Sequence, residues 1–239
     1  MKVLLIAPQD VIPPTDGGKV GIFHPVKYLA QKYEVYLAFP MPKLSDEIKT
    51  EIISKYAVYN IKAIPFELNT SDNYFFYIKN IFSKIPFKMA KYFKKNFLSE
   101  LKEIIKKENI NIVHINHSHV GKYAIELKKE FPDLKIFLRE HNIEYQIVKQ
   151  YSNIQKNIFL KIFAYFEYLK TKRYEISLWD KFNQVFFISN TDLEEAKKYN
   201  HKFNESNLIY DGMEIDDNDK NPKIEEKSFI FSGFNFMQK

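Results

Sequence analysis

His141 stands at the end of an apolar run, flanked by Glu140 and Glu144. A histidine placed so, with carboxylates beside it, can act as an acid/base group or a polar contact to a ligand. A capping, hydrogen-bonding loop would read the same way. A second polar stretch holds His114, Asn116, His117, Ser118 and His119. Three histidines so close suggest a metal, but in a strand His114 points away from His117, and no carboxylate sits among them. The expectation is a polar loop beside a ligand cleft and no metal. The third stretch is Asp16-Gly17-Gly18, which follows an apolar run at residues 3–7 and the pair Pro13-Pro14. Strand, glycine turn and helix is how an α/β domain builds a phosphate or sugar site. Glycines let the backbone approach a ligand, and the helix start offers free N–H groups. An ordinary βα loop remains the alternative. Ser189, Asn190 and Asp192 read as helix caps, and Asp211-Gly212 as a turn pair.

The elements that must position these residues follow from hydrophobic periodicity. Strands are expected at residues 3–7, 34–39 (ended by Pro40 and Pro42), 57–65, 111–116, 135–139, 184–188 and 207–210. Helical spacing covers Ile22 to Tyr33 with Pro25 inside it, then residues 45–55, Leu98 to about Asn109, and 122–130. A long helix over residues 156–179 carries Phe159, Ile162, Phe163, Phe166 and Leu169 on one face, and Thr191 with Glu194 gives a capping box for the next. The alternation predicts an α/β fold: a Rossmann-like, doubly wound parallel sheet of about seven strands with helices on both faces. Ligands bind such sheets beyond the carboxyl ends of the strands, at the topological switch point. The three polar stretches all fall at such ends.

Composition narrows the field. The chain has 239 residues, 45% of them hydrophobic and 28% charged, enough for an ordinary core. Without cysteine there are no disulfides, no thiolate chemistry and no cysteine-bound zinc. No segment approaches the ~18 apolar residues of a membrane span, so a cytoplasmic protein is expected. Net charge is +6, yet Arg139 and Arg173 are the only arginines, which argues against a reader of nucleic-acid sequence. Residues 74–95 interleave Tyr74, Phe75, Phe76, Phe82, Phe87, Tyr92 and Phe93 with lysines. They form either a basic aromatic surface for anionic lipid, which would hold the protein peripherally at the inner face of the membrane, or a helix pair with aromatics inward.

The order of these elements resembles the N-terminal half of a GT-B glycosyltransferase of the family 4 type, over nearly the whole chain. The family's Pro-Pro-x-x-Gly-Gly loop is matched by Pro13, Pro14, Gly17 and Gly18, and its His-Asn-x-Glu segment by His141, Asn142 and Glu144. Tyr174-Glu175, Asp180, Phe187-Ile188-Ser189 and Asp192 follow in family order. The usual Asn-Gly-Val-Asp turn reads Asp211, Gly212, Met213 and Glu214 here. The resemblance implies an acceptor-side domain at 1–214, an interdomain linker at 215–228, and at 229–239 the first strand of a missing C-terminal donor-binding domain. That domain would be supplied in cis or by a partner chain, and this chain alone would be inactive.

The resemblance further implies a bacterial polysaccharide-type enzyme. It moves a sugar from a nucleotide-sugar donor to an acceptor hydroxyl on a glycan or lipid-linked glycan, with retention, no cofactor and no metal. Asp16, Gly17 and Gly18 would face the donor phosphate and sugar. His141 would be the catalytic contact to the transferred sugar. His117, His119, Asn142, Glu144, Asp211 and Gly212 would line the acceptor side of the cleft. Two alternatives stay open: a non-catalytic acceptor-binding module or half of a split transferase, and a sugar-nucleotide epimerase of the same architecture. A dinucleotide enzyme is disfavoured, because the first loop lacks Gly-x-Gly-x-x-Gly.

Overall fold

A computed structural model describes residues 1–70, 80–81 and 83–212. The expected linker, the strand at 229–239, Met213, Glu214, and Tyr74, Phe75, Phe76 and Phe82 lie outside the described residues. The strands are β1 (Lys2–Ile6), β2 (Glu34–Met41), β3 (Ile61–Glu67), β4 (Ile112–Asn116), β5 (Lys135–Glu140) and β6 (Gln184–Phe187). They form one parallel sheet in the order β3-β2-β1-β4-β5-β6, the doubly wound arrangement. The order reverses between β1 and β4, so the switch-point crevice opens beyond Ile6 and Asn116.

Alternation along the buried strands splits the core in two. Val3, Leu5, Val35, Leu37 and Phe39 face α1 (Gly17–Ala30) and α2 (Asp46–Ala57). Leu4, Ile6, Val113, Ile115, Ile136 and Leu138 face the other way. There they meet the buried side chains of the helix pair α4 (Lys95–Glu108) and α5 (Gly121–Glu130), which follow the short α3 (Phe87–Lys91). Leu178 and Trp179 at the end of α7 (Ile158–Trp179), and Leu193 and Ala196 of α8 (Asn190–Lys197), complete that layer. Beside Pro25 and Leu29 of α1, the second face of β4–β6 forms a groove of about 420 Å³ that includes Ile112, His114, Phe137 and Phe186.

Several expectations are corrected. Among the described residues the sheet has six strands. In place of a seventh at 207–210 there is a 3₁₀ turn, Glu205–Asn207, and one bridge from Leu208 to Phe187. Asn207 is spent otherwise: its side chain donates to the Val185 carbonyl at 2.7 Å and accepts from the Asn204 N–H at 3.0 Å. β2 runs through Pro40, which pairs in register with Phe66. β1 has already ended there, so the missing N–H leaves no gap on that side. α8 is capped by Ser189, whose hydroxyl accepts from the Asp192 N–H at 3.1 Å, rather than by Thr191. A helix the periodicity did not reveal, α6 (Glu144–Ile154), precedes α7 and packs against it. Of the apolar stripe read along α7, Leu169 packs against the core while much of the rest faces outward. Ala164, Tyr168, Thr171, Glu175, Leu178 and Trp179 are the buried residues of α7, whereas Phe159 is 79% and Phe166 61% exposed.

Candidate functional site

β4 and β5 deliver their polar residues to one place. After Asn116 the chain turns at His117, whose φ of 71° lies in the region that favours glycine. Its N–H still donates to the Arg139 carbonyl at 2.9 Å, so the turn is tied to the end of β5. The result is a column of nearly parallel rings. His141 lies against His117 with centroids 4.2 Å apart and planes 16° from parallel. His117 lies 5.5 Å from His119, and His119 5.5 Å from Tyr92, at 8° and 13°.

Glu144, the first residue of α6, closes this column. Its Oε1 is 3.0 Å from His119 Nε2 and its Oε2 is 2.9 Å from Lys88 Nζ. Burial opposes its charge, but His119 and Lys88 outweigh that and hold the carboxyl well below the usual range. Desolvation lowers His119 and takes His117 well below normal; it brings His141 down to about 3 and His114 to about 4, aided by the Arg139 charge. At neutral pH these imidazoles are uncharged. Each then offers one N–H donor and one acceptor nitrogen. The carboxylate missing from the local sequence is therefore supplied by Glu144. Ligand atoms of His117, His119 and Glu144 lie within 4.8 Å of one another, close enough to hold a cation. Lys88 already supplies a positive charge there.

Two further buried carboxylates hold the framework. Glu140 accepts from the Ser118 N–H and from Trp179 Nε1–H, both at 3.1 Å. Glu175 reaches across from α7 and accepts from the N–H groups of Glu144 at 2.9 Å and Tyr145 at 3.0 Å. It thus caps α6 from outside the helix, satisfying donors that α6 leaves unpaired. Burial raises both groups, Glu140 to about 8; the nearby Glu144 charge raises Glu140 further, and the charges of Glu140 and Glu144 raise Glu175. Together they keep a proton near neutrality.

On the other side of His141, α1 packs close. Arg139 Nη1 donates to the Gly21 carbonyl at 2.8 Å, and its Nη2 is paired with Asp211. A Cβ on Gly21 would lie 2.9 Å from Asp211 Oδ2 and 3.1 Å from His141 Cε1, so glycine is needed at this approach. Asp16 is the N-cap of α1, accepting from the Lys19 N–H at 3.0 Å. Gly17 and Gly18 are its first two residues, both with negative φ. The loop before them is fixed by Tyr56, whose hydroxyl accepts from the Val11 N–H at 3.1 Å and bonds Asp10. Asn142 and Gly212 are exposed at the rim.

The structure thus gathers His117, His119, His141 and Glu144 into one cluster, with Asp211 and α1 beside it. Sequence reasoning named Glu140 beside His141 and Glu175 within the resemblance, but missed Lys88, Arg139 and Trp179 as partners. Arg139 carried a signal, a charge ending an apolar strand in a chain with two arginines. The described part of the aromatic stretch packs inward: Phe87 is buried, and Tyr92 and Phe93 lie against the core.

No protein-family model matches the chain, and no curated protein matches its sequence. Solved structures do. The N-terminal domain of trehalose-6-phosphate phosphatase from Candida albicans aligns at TM-score 0.49 and 14% identity, over 83% of this chain and 42% of that one. A glycosyltransferase from Rickettsia africae gives 0.41 and 18%, over 87% and 42%. A putative UDP-N-acetylglucosamine 2-epimerase from Listeria monocytogenes gives 0.47 and 11%, over 87% and 44%. The chain spans less than half the length of each of these structures.

Proposed function

We propose that the chain is the N-terminal half of a GT-B glycosyltransferase, contributing one wall of a cleft in which a sugar passes from a nucleotide-sugar to an acceptor hydroxyl. The observation that carries this reading is the convergence of His117, His119, His141 and Glu144 beyond the carboxyl ends of β4 and β5, beside the switch point and against α1. The His-Asn-x-Glu segment that resembles family 4 supplies His141 and Glu144 of that convergence.

Charge in such a transfer develops on the leaving diphosphate. The N–H groups at the start of α1, from Gly17 and Gly18, suit that charge. His141, uncharged at neutral pH, meets the transferred sugar with a donor or an acceptor rather than with a full proton. His119, Glu144 and Lys88 form the polar acceptor-side wall. Retention needs no protein nucleophile in this scheme, and none is assigned. The donor's remaining contacts come from a second domain, in cis or from a partner chain.

The test is sugar transfer from nucleoside diphosphate sugars by the longest natural polypeptide carrying this chain. His141→Ala should lower kcat by about a hundredfold while leaving the melting curve in place. Full activity in that variant would overturn the assignment.

A further inference from the structure

Residues 145–166, spanning most of α6 and the first half of α7, hold Lys149, Lys156 and Lys161 and no acidic residue. The two helices form an antiparallel hairpin around a short connection, with the Ser152 hydroxyl donating to the Lys161 carbonyl at 3.2 Å and Asn157 capping α7. The hairpin end is strongly apolar and open. Phe159 is 79% exposed, Phe166 61% and Ile158 59%, with Ile154, Leu160, Ile162, Tyr165, Tyr151 and Ile147 between 39% and 52%. Soluble proteins rarely leave a continuous apolar surface of this kind uncovered. A helix apolar on every side is expected to be buried, and the first half of α7 is not.

We propose that the tip of the α6–α7 hairpin is a docking surface for an anionic lipid bilayer. Aromatic and aliphatic side chains would enter the headgroup boundary, and Lys149, Lys156 and Lys161, all exposed, would meet the lipid phosphates. Charge selects this occupant. A second copy of the chain would bring three more lysines against these three with no acid to offset them, whereas an anionic surface complements them. No helix among the described residues is long and apolar enough to cross a membrane, so the contact is interfacial. α6 starts at Glu144 and has 11 residues, which puts the ring cluster about 16 Å from the hairpin tip. The inference stands on the hairpin surface and not on the transferase reading.

Flotation of the whole chain with phosphatidylcholine vesicles, with and without phosphatidylglycerol, tests it. The chain should float with the anionic vesicles and be released by high salt. Phe159→Ser with Phe166→Ser should cut binding about tenfold with an unchanged circular dichroism spectrum. Lys149→Gln, Lys156→Gln and Lys161→Gln together should cut binding by a similar factor. Absence of binding to anionic vesicles overturns the proposal. So does binding that either variant retains in full, or a dimer in solution that the paired serine substitution dissolves.

Discussion

The imidazole of His117 lies flat against that of His141, 4.2 Å between centroids, although one follows β4 and the other β5. The adjacent parallel strands β4 and β5 bring their ends together, with Asn116 paired to Arg139, and the chain beyond Asn116 turns at His117 with a φ of 71°. For a residue with a Cβ that conformation costs of order 1–3 kcal/mol. Comparing two truncations isolates the cost, since both lose the ring. His117→Gly should be more stable than His117→Ala by about 1 kcal/mol, the reverse of the usual order of these residues. Denaturant unfolding of the two variants checks this; an alanine variant as stable as the glycine one would mean that the turn is unstrained.

Gly21 gives a second test. In an exposed helix, glycine to alanine stabilises by about 1 kcal/mol. Here the new methyl would come within 3.1 Å of His141 Cε1 and 2.9 Å of Asp211 Oδ2, and those groups must give way. Gly21→Ala should therefore show no gain in stability, and the ring-proton signals of His141 should shift. An alanine variant that is more stable and leaves His141 unmoved would show that the close approach is not real.

The pH dependence of stability has two limbs. His114, His117, His119 and His141 have folded-state values below the ordinary 6.5, so the unfolded chain takes up protons there first. Their contribution is complete above about pH 6.5 and is lost as pH falls toward about 3. Glu140 and Glu175 are raised, so the folded chain holds protons that the unfolded chain releases above 4.5. That contribution is complete below 4.5 and is lost as pH climbs toward about 8. Between 4.5 and 6.5 the two oppose. Stability should thus fall on both sides of that window. Glu175→Gln removes one of the two raised carboxyls and should flatten the alkaline limb, as read by chemical denaturation at pH 6 and pH 8.5. An alkaline limb equally steep in that variant would contradict a raised, proton-holding Glu175.

Glu175 is also the cap of α6. Truncation to alanine leaves the Glu144 and Tyr145 N–H groups without their acceptor, which should cost about 2 kcal/mol. Amide exchange should rise first at Glu144 and Tyr145. Unchanged protection there would show that α6 starts without help from α7.

The fold was largely legible because its strands are unbroken apolar runs. β1 is buried on both faces and needs no alternation to be recognised, whereas β4 and β5 bury one face and leave Ile112, His114 and Phe137 half-buried on the other. The failures have local causes. α6 carries Gln146, Lys149, Gln150 and Asn153 among its apolar residues, and its cap comes from Glu175, far along the chain. Residues 207–210 look strand-like, yet Asn207 commits its side chain to Val185 and Asn204. The site was legible as positions but not as partnerships. His117, His119 and His141 fall at strand ends, where periodicity already points. Lys88 with Glu144, Arg139 with Asp211, and Glu140 with Glu175 are brought together only by the crossovers of the sheet.

The most direct measurement is a titration of the histidine ring-proton signals with nucleoside diphosphate sugars. His201, exposed on the surface, serves as the internal control. If the ring cluster is one wall of a sugar-transfer cleft, the signals of His117, His119 and His141 shift saturably while His201 does not. Shifts confined to His201, or none at the cluster with any nucleotide-sugar, would contradict the account.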